Sequence, residues 1–166
     1  MRKTILIPTD FTVQSLNVLK TVLNSNTSED IQYDVILLHG VISSDSIRDL
    51  LFYSKAGHIQ SLSNAEFEEA FEIIKNKFDS MINSFRIDLF SGSNQTSFNN
   101  YVEANRVVEI ITSNQKLKLT SGNSFDLSRY IGKSPVTVSV IDNAPTSTLP
   151  EKGKLAEVFF NRVSIG

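Results

Sequence analysis

The chain has 166 residues, 40% hydrophobic and 20% charged, with a formal net charge of −2, a balance that predicts one globular domain with no basic field for nucleic acid or an anionic membrane. The absence of cysteine excludes disulfides, thiolate catalysis and cysteine-ligated zinc, and makes the cytoplasm the expected compartment. No apolar run approaches the roughly 20 residues of a membrane helix, and Arg2 and Lys3 lead straight into strand-like residues, so no signal peptide is read.

Ile5, Leu6 and Ile7 form a short unbroken apolar run, the pattern of a strand buried on both faces of a parallel sheet. Pro8 has no N–H to donate and is expected to end the regular ladder. Thr9 and Asp10 then fall beyond the carboxyl end of a central strand, where open α/β sheets place their ligands. Thr12 is an expected N-cap, followed by Leu16, Leu19, Val22 and Leu23 at helical spacing up to Asn24. A polar loop over Ser25 to Gln32 precedes a second apolar run, Val35 to Leu38, which closes in His39-Gly40-Val41. Strand, helix and strand at this spacing predict a right-handed βαβ unit.

Ile47, Leu50 and Leu51 predict a short helix that ends near Gly57-His58. Ser63-Asn64-Ala65-Glu66 fits a capping box for the next helix, whose apolar face is read from Phe67, Phe71, Ile74, Phe78, Met81 and Phe85. That stripe also has the spacing of a coiled-coil seam; between predicted strands it reads as a core-facing helix. A third strand is expected over Ile87 to Phe90, a brief helix around Phe98, Tyr101 and Val102, and a fourth strand over Val107 to Thr112. A polar segment from Ser113 to Ser124 leads to a last helix carrying Phe125, Leu127, Tyr130 and Ile131, ended by Gly132. Ser134-Pro135 opens a fifth strand, Val136 to Ile141, whose alternation of Val with Thr and Ser predicts an edge or interface strand.

Three stretches carry a family resemblance. Pro8-Thr9-Asp10-Phe11 after an apolar strand, the second strand running into His39-Gly40-Val41, and Ser134-Pro135-Val136 together resemble the universal stress protein family, over Thr4 to about Asp142. The resemblance implies an α/β fold over residues 1–142: an open parallel five-stranded sheet of order 3-2-1-4-5, helices on both faces, and a switch point between the first and fourth strands. In nucleotide-binding members the fourth strand is followed by a loop of pattern G-x2-G-x9-G-[ST], whose glycines let backbone N–H groups approach phosphates. Here Ser113 and Lys116 stand in the first two glycine places, the segment is shorter, and Gly122 with Ser124 matches only the closing element. Carried over residue by residue, the nucleotide-contact set is Thr9, Asp10, Val41, Gly122 and Ser124. Asp10 has a second reading from its position alone, as a brace for the start of the first helix.

The expectation is therefore a non-catalytic, homodimeric binding or regulatory module with weak or no binding of ATP or AMP. Its alternative is an ATP- or AMP-binding switch or slow ATPase using that contact set. A phosphoacceptor role for Asp10 lacks the acidic cluster and lysine that receiver domains need. Ser121-Gly122-Asn123-Ser124-Phe125-Asp126 follows the fourth strand, whereas the pyrophosphate loop of adenylating enzymes follows the first. His39 and His58 have no metal-type spacing, and no Ser-His-Asp arrangement can be argued from the sequence. Residues 143–166 carry Pro145, Pro150 and Gly153 and read as a linker, followed by a tail strand near 155–163 with Phe159 and Phe160. The tail resembles the opening of a second domain, and it is expected to pair with a sheet edge and contribute to the dimer.

Overall fold

The computed structural model describes residues 1–119 and 121–142. The expected linker and tail strand over 143–166 lie outside the described residues. The elements in chain order are β1 (Arg2–Pro8), α1 (Val13–Ser25), β2 (Gln32–Val41), α2 (Ile47–Leu51), α3 (Lys55–Leu62), α4 (Ala65–Lys77), β3 (Ile82–Phe90), α5 (Gln95–Ala104), β4 (Val107–Ser113), β5 (Ser124–Phe125), α6 (Ser128–Ile131) and β6 (Thr137–Ile141).

The long strands make one parallel sheet in the order β3-β2-β1-β4-β6. This is the 3-2-1-4-5 order that the family resemblance implies, with the two-residue β5 interposed in the numbering. Side chains alternate across the sheet, so the unbroken apolar runs feed two cores. Ile5, Ile7, Val35 and Leu37 pack with Leu16 and Leu19 of α1 and with Phe67 and Ile74 of α4. Leu6, Ile36, Leu38 and Ile110 pack on the other face with Phe98 and Val102 of α5 and with Leu127, Tyr130 and Ile131 around α6. Helices thus cover both faces. Among the described residues β6 is the edge expected from its sequence, and Val138 and Val140 are exposed on it.

Pro8 is the last residue of β1, opposite Leu38. Beyond it β1 no longer covers β2, and β5 pairs antiparallel there, with Gly40 opposite Phe125 and Val41 opposite Ser124. This two-residue strand satisfies backbone groups that the proline-terminated β1 leaves open.

Four local expectations are corrected. The capping residue of α4 is Asn64, not Ser63: its Oδ1 accepts from the Phe67 N–H at 2.9 Å, while its Nδ2 donates to the Phe11 carbonyl at 2.9 Å. One amide side chain caps the helix and ties it to the end of β1, a pair of tasks that a hydroxyl cannot reach from one position earlier. The apolar stripe also does not belong to one helix. α4 ends at Lys77 and β3 begins at Ile82, so Phe85 lies on the strand, where its ring stacks on Phe71 of α4 at 3.9 Å. Two elements of different period supply what looked like continuous heptads. Gly57 and His58 lie inside α3 rather than at a helix end, because Ser54 caps a fresh helix by accepting from the Gly57 N–H. Finally, Phe125 belongs to β5, and the last helix is reduced to Ser128–Ile131 after an Asp126 turn that accepts from Ser128 N and Oγ.

Candidate functional site at the switch point

β1 must turn sharply into α1, and the turn is made by Phe11 in the left-handed region, with φ of 60°. A bulky residue adopts that conformation only where the surroundings overdetermine it. Here the ring is buried, edge-on to His39 at 5.0 Å and tilted against Phe67 at 5.4 Å. The residues on either side of Phe11 are held by polar contacts. Thr9 Oγ1 accepts from the Phe11 N–H at 3.2 Å and bonds Ser15 Oγ at 2.8 Å. Thr12 caps α1, as the sequence indicates, by accepting from the Ser15 N–H.

Asp10 uses both carboxylate oxygens within the protein. Oδ1 accepts from the backbone N–H of Thr12 at 3.1 Å and from its hydroxyl, and Oδ2 accepts from the backbone N–H of Lys118 at 2.8 Å. The first oxygen braces the helix start and the second holds the loop that follows β4. A side-chain hydrogen bond between Gln14 and Gln115 makes a second tie between α1 and the same loop. Lys116 and Lys118 are exposed. The crevice between β1, α1 and this loop has a volume of about 80 Å³ and is bounded by Asp10, Thr12, Ser113, Lys116, Leu117 and Asp126, among others. That is space for roughly half a dozen waters, well below the few hundred Å³ of sites that enclose a drug-sized ligand.

The five residues carried over from the family pattern divide in two. Thr9, Val41 and Ser124 are drawn together through His39. Its Nδ1 bonds the Thr9 carbonyl at 2.8 Å and its Nε2 bonds Ser124 Oγ at 2.6 Å, while Ser124 pairs with Val41 in the β5 ladder. Asp10 follows Thr9 directly and reaches the loop. Gly122 is exposed, has no left-handed φ, and a Cβ added there would meet nothing within 4 Å. Its position makes no demand that only glycine can meet.

Sequence reasoning missed His39 as the link between these residues, because its partners lie 30 and 85 positions away. A second polar cluster gave no local signal at all. Asp88 of β3 is buried and accepts from Lys55 Nζ at 2.8 Å, Tyr101 Oη at 2.6 Å, Arg86 Nη1 at 3.2 Å and the Leu89 N–H at 2.9 Å. Burial pushes this carboxyl up, but the bonds from Lys55, Tyr101 and the Leu89 amide outweigh it and hold the group below its ordinary value. Burial, and then the Asp88 carboxylate, push the Tyr101 phenol far up, so it remains a donor.

The sign of the resulting acid dependence follows from linkage. A carboxyl whose pKa is lower folded than unfolded contributes stability that is present above the unfolded value, about 3.9, and lost as pH falls through the folded one. The stability gap between the native chain and Asp88→Asn should therefore narrow between about pH 5 and pH 3. Denaturant unfolding at the two pH values checks it; a gap independent of pH would mean that the Asp88 carboxyl titrates normally.

Among the described residues no helix is long and apolar enough to cross a membrane, and no group of three or more His, Asp or Glu side chains is placed to hold a metal. No family model matches the chain, and no curated protein matches it in sequence. Solved structures do match. The universal stress protein UspA from Lactobacillus plantarum aligns with a TM-score of 0.54 at 11% identity, over 84% of this chain and 97% of its own. The hypothetical protein MJ0577, the subject of a structure-based assignment of biochemical function, aligns with a TM-score of 0.50 at 23% identity, over 84% and 95%. A universal stress protein family protein from Arabidopsis thaliana, with AMP bound, aligns with a TM-score of 0.49 at 12% identity, over 90% and 97%. With the β3-β2-β1-β4-β6 order and the crevice between β1 and β4, the first two likenesses identify the architecture: the chain has the universal stress protein fold.

Proposed function

We propose that this chain is a stress-response-type binding or regulatory module that works as a homodimer in the cytoplasm, with weak or no affinity for ATP or AMP and no catalytic use of them. The observation that carries this reading is the bond from the Lys118 N–H to Asp10 Oδ2. The carboxylate that would meet a nucleoside is already engaged by the loop that would cradle its phosphates. Ser113 and Lys116 add side chains where close backbone approach to phosphates needs glycine. Each charge-assisted bond contributes on the order of 1.5–3 kcal/mol. Losing two weakens a micromolar site to about 0.1 mM or worse, at tenfold per ~1.4 kcal/mol. The exposed Lys116 and Lys118 attract phosphate as screened point charges without restoring that geometry.

Calorimetric titration with Mg-ATP at ordinary salt should show no saturable site below about 100 µM, the threshold that arithmetic sets. The alternative is a nucleotide switch or slow ATPase, favoured by the convergence of Thr9 and Ser124 on His39, with Val41 paired to Ser124. Stoichiometric micromolar binding that disappears in Asp10→Ala would establish the alternative instead.

We assign the dimer to the β6 edge, where Val138 and Val140, with Val108 of the neighbouring β4, are exposed and, among the described residues, no strand pairs on the outer side of β6. Val140→Lys should convert the dimer to monomer in analytical ultracentrifugation. A native chain that sediments as a monomer at micromolar concentration would sink this part of the reading.

A further inference from the structure

We propose that Ser124 is a reactive nucleophile with His39 as its base, and that it accepts a small acyl group from an activated carboxylic ester. The Thr9 carbonyl can only accept, so His39 Nδ1 carries the proton in that 2.8 Å bond. In the neutral ring Nε2 then presents its lone pair, and Ser124 donates its hydroxyl proton to it across 2.6 Å. A hydroxyl, a base within reach and a third group that orients the base are the parts of an activated serine, whatever their order in the chain.

Three further observations support the pair. His39 is buried, and burial pushes its pKa down, which keeps the imidazole neutral and able to take a proton. Ser124 is only half-buried, on the surface side of the buried ring. Its backbone is fixed by pairing with Val41, and Gly40 permits that pairing, since a Cβ there would stand 2.7 Å from the Phe125 carbonyl.

In the step, Ser124 Oγ bonds to the acyl carbon as its proton passes to His39 Nε2. The tetrahedral adduct collapses, the bond to the leaving oxygen breaks, and that oxygen departs with the proton from Nε2. Water reverses the sequence to release the acid. Ser124's own N–H donates to the Ser121 carbonyl at 3.1 Å, so it is not available to a developing oxyanion. Both tetrahedral steps lack that donor, so only an activated ester is expected to acylate Ser124, and hydrolysis of the less activated acyl-serine is expected to be slower still.

The full chain should be incubated with p-nitrophenyl acetate and the modified peptide mapped by mass spectrometry. One equivalent of p-nitrophenol released ahead of a slow phase, with acetyl on Ser124, is the expected result. Ser124→Ala should abolish that phase and His39→Gln should slow it by roughly 100-fold or more, the usual share of a general base. If His39→Gln does not fold, mapping the native chain against Ser124→Ala decides. Acetylation no faster at Ser124 than at Ser121 and Ser128, or the same release from Ser124→Ala, would overturn the proposal and leave the pair a structural hydrogen bond.

Discussion

Phe67→Ala should lower the unfolding free energy by about 3–5 kcal/mol, a large share of the roughly 5–15 kcal/mol of a typical domain. The side chain is completely buried at the start of α4 and touches Phe11, whose left-handed backbone is held by the packing of its ring. Removing it leaves a cavity beneath the β1–α1 turn, where Phe11 also rests on His39. The loss should thus extend beyond stability. With Phe11 free to shift, water reaches His39, and its depressed pKa should move back toward the ordinary value of about 6.5. Denaturant unfolding measures the first effect and NMR titration of the imidazole the second. A loss below about 1 kcal/mol would show that the site collapses around the missing ring more fully than large-to-small core changes usually permit.

Asp10→Ala should release the loop after β4. The substitution removes the acceptor of the Lys118 N–H and of the Thr12 N–H together. For a charge-assisted bond worth about 1.5–3 kcal/mol, exchange of the Lys118 amide should accelerate by about 10- to 150-fold. Asp10→Asn keeps an acceptor oxygen and should show a smaller change. Unchanged protection of Lys118 in Asp10→Ala would mean that the Gln14–Gln115 contact suffices to hold the loop. If ATP affinity rises in Asp10→Ala as the loop opens, the closed crevice, rather than the missing glycines, is what excludes the nucleotide.

The strands of the sheet were legible in the residues, and their order only in the family resemblance. Ile5–Ile7 and Val35–Leu38 read as strands buried on both faces because alternate residues serve two separate cores, and no other arrangement buries every position of such a run. The edge character of β6 was legible in its Thr and Ser alternating with Val, but which face meets solvent was not: Val138 and Val140 are exposed, while Ser139 is half-buried and donates to Glu109. The Thr12 cap and the position of Asp10 past the end of β1 followed from local rules of proline and helix starts. Tertiary structure decided everything that depended on a distant partner. Asn64 rather than Ser63 caps α4 because only Asn64 also reaches the Phe11 carbonyl, 53 residues earlier in the chain. Phe85 joined the α4 stripe by packing from β3, since apolar contact does not distinguish a helix from a strand. The tie between Asp10 and the loop after β4 depends on the Lys118 amide, 108 positions away, and the Ser124–His39 contact on β5 seating itself where Pro8 ends β1. Such bonds join groups whose separation along the chain carries no periodic signal, so only the fold that brings them within 3 Å can reveal them.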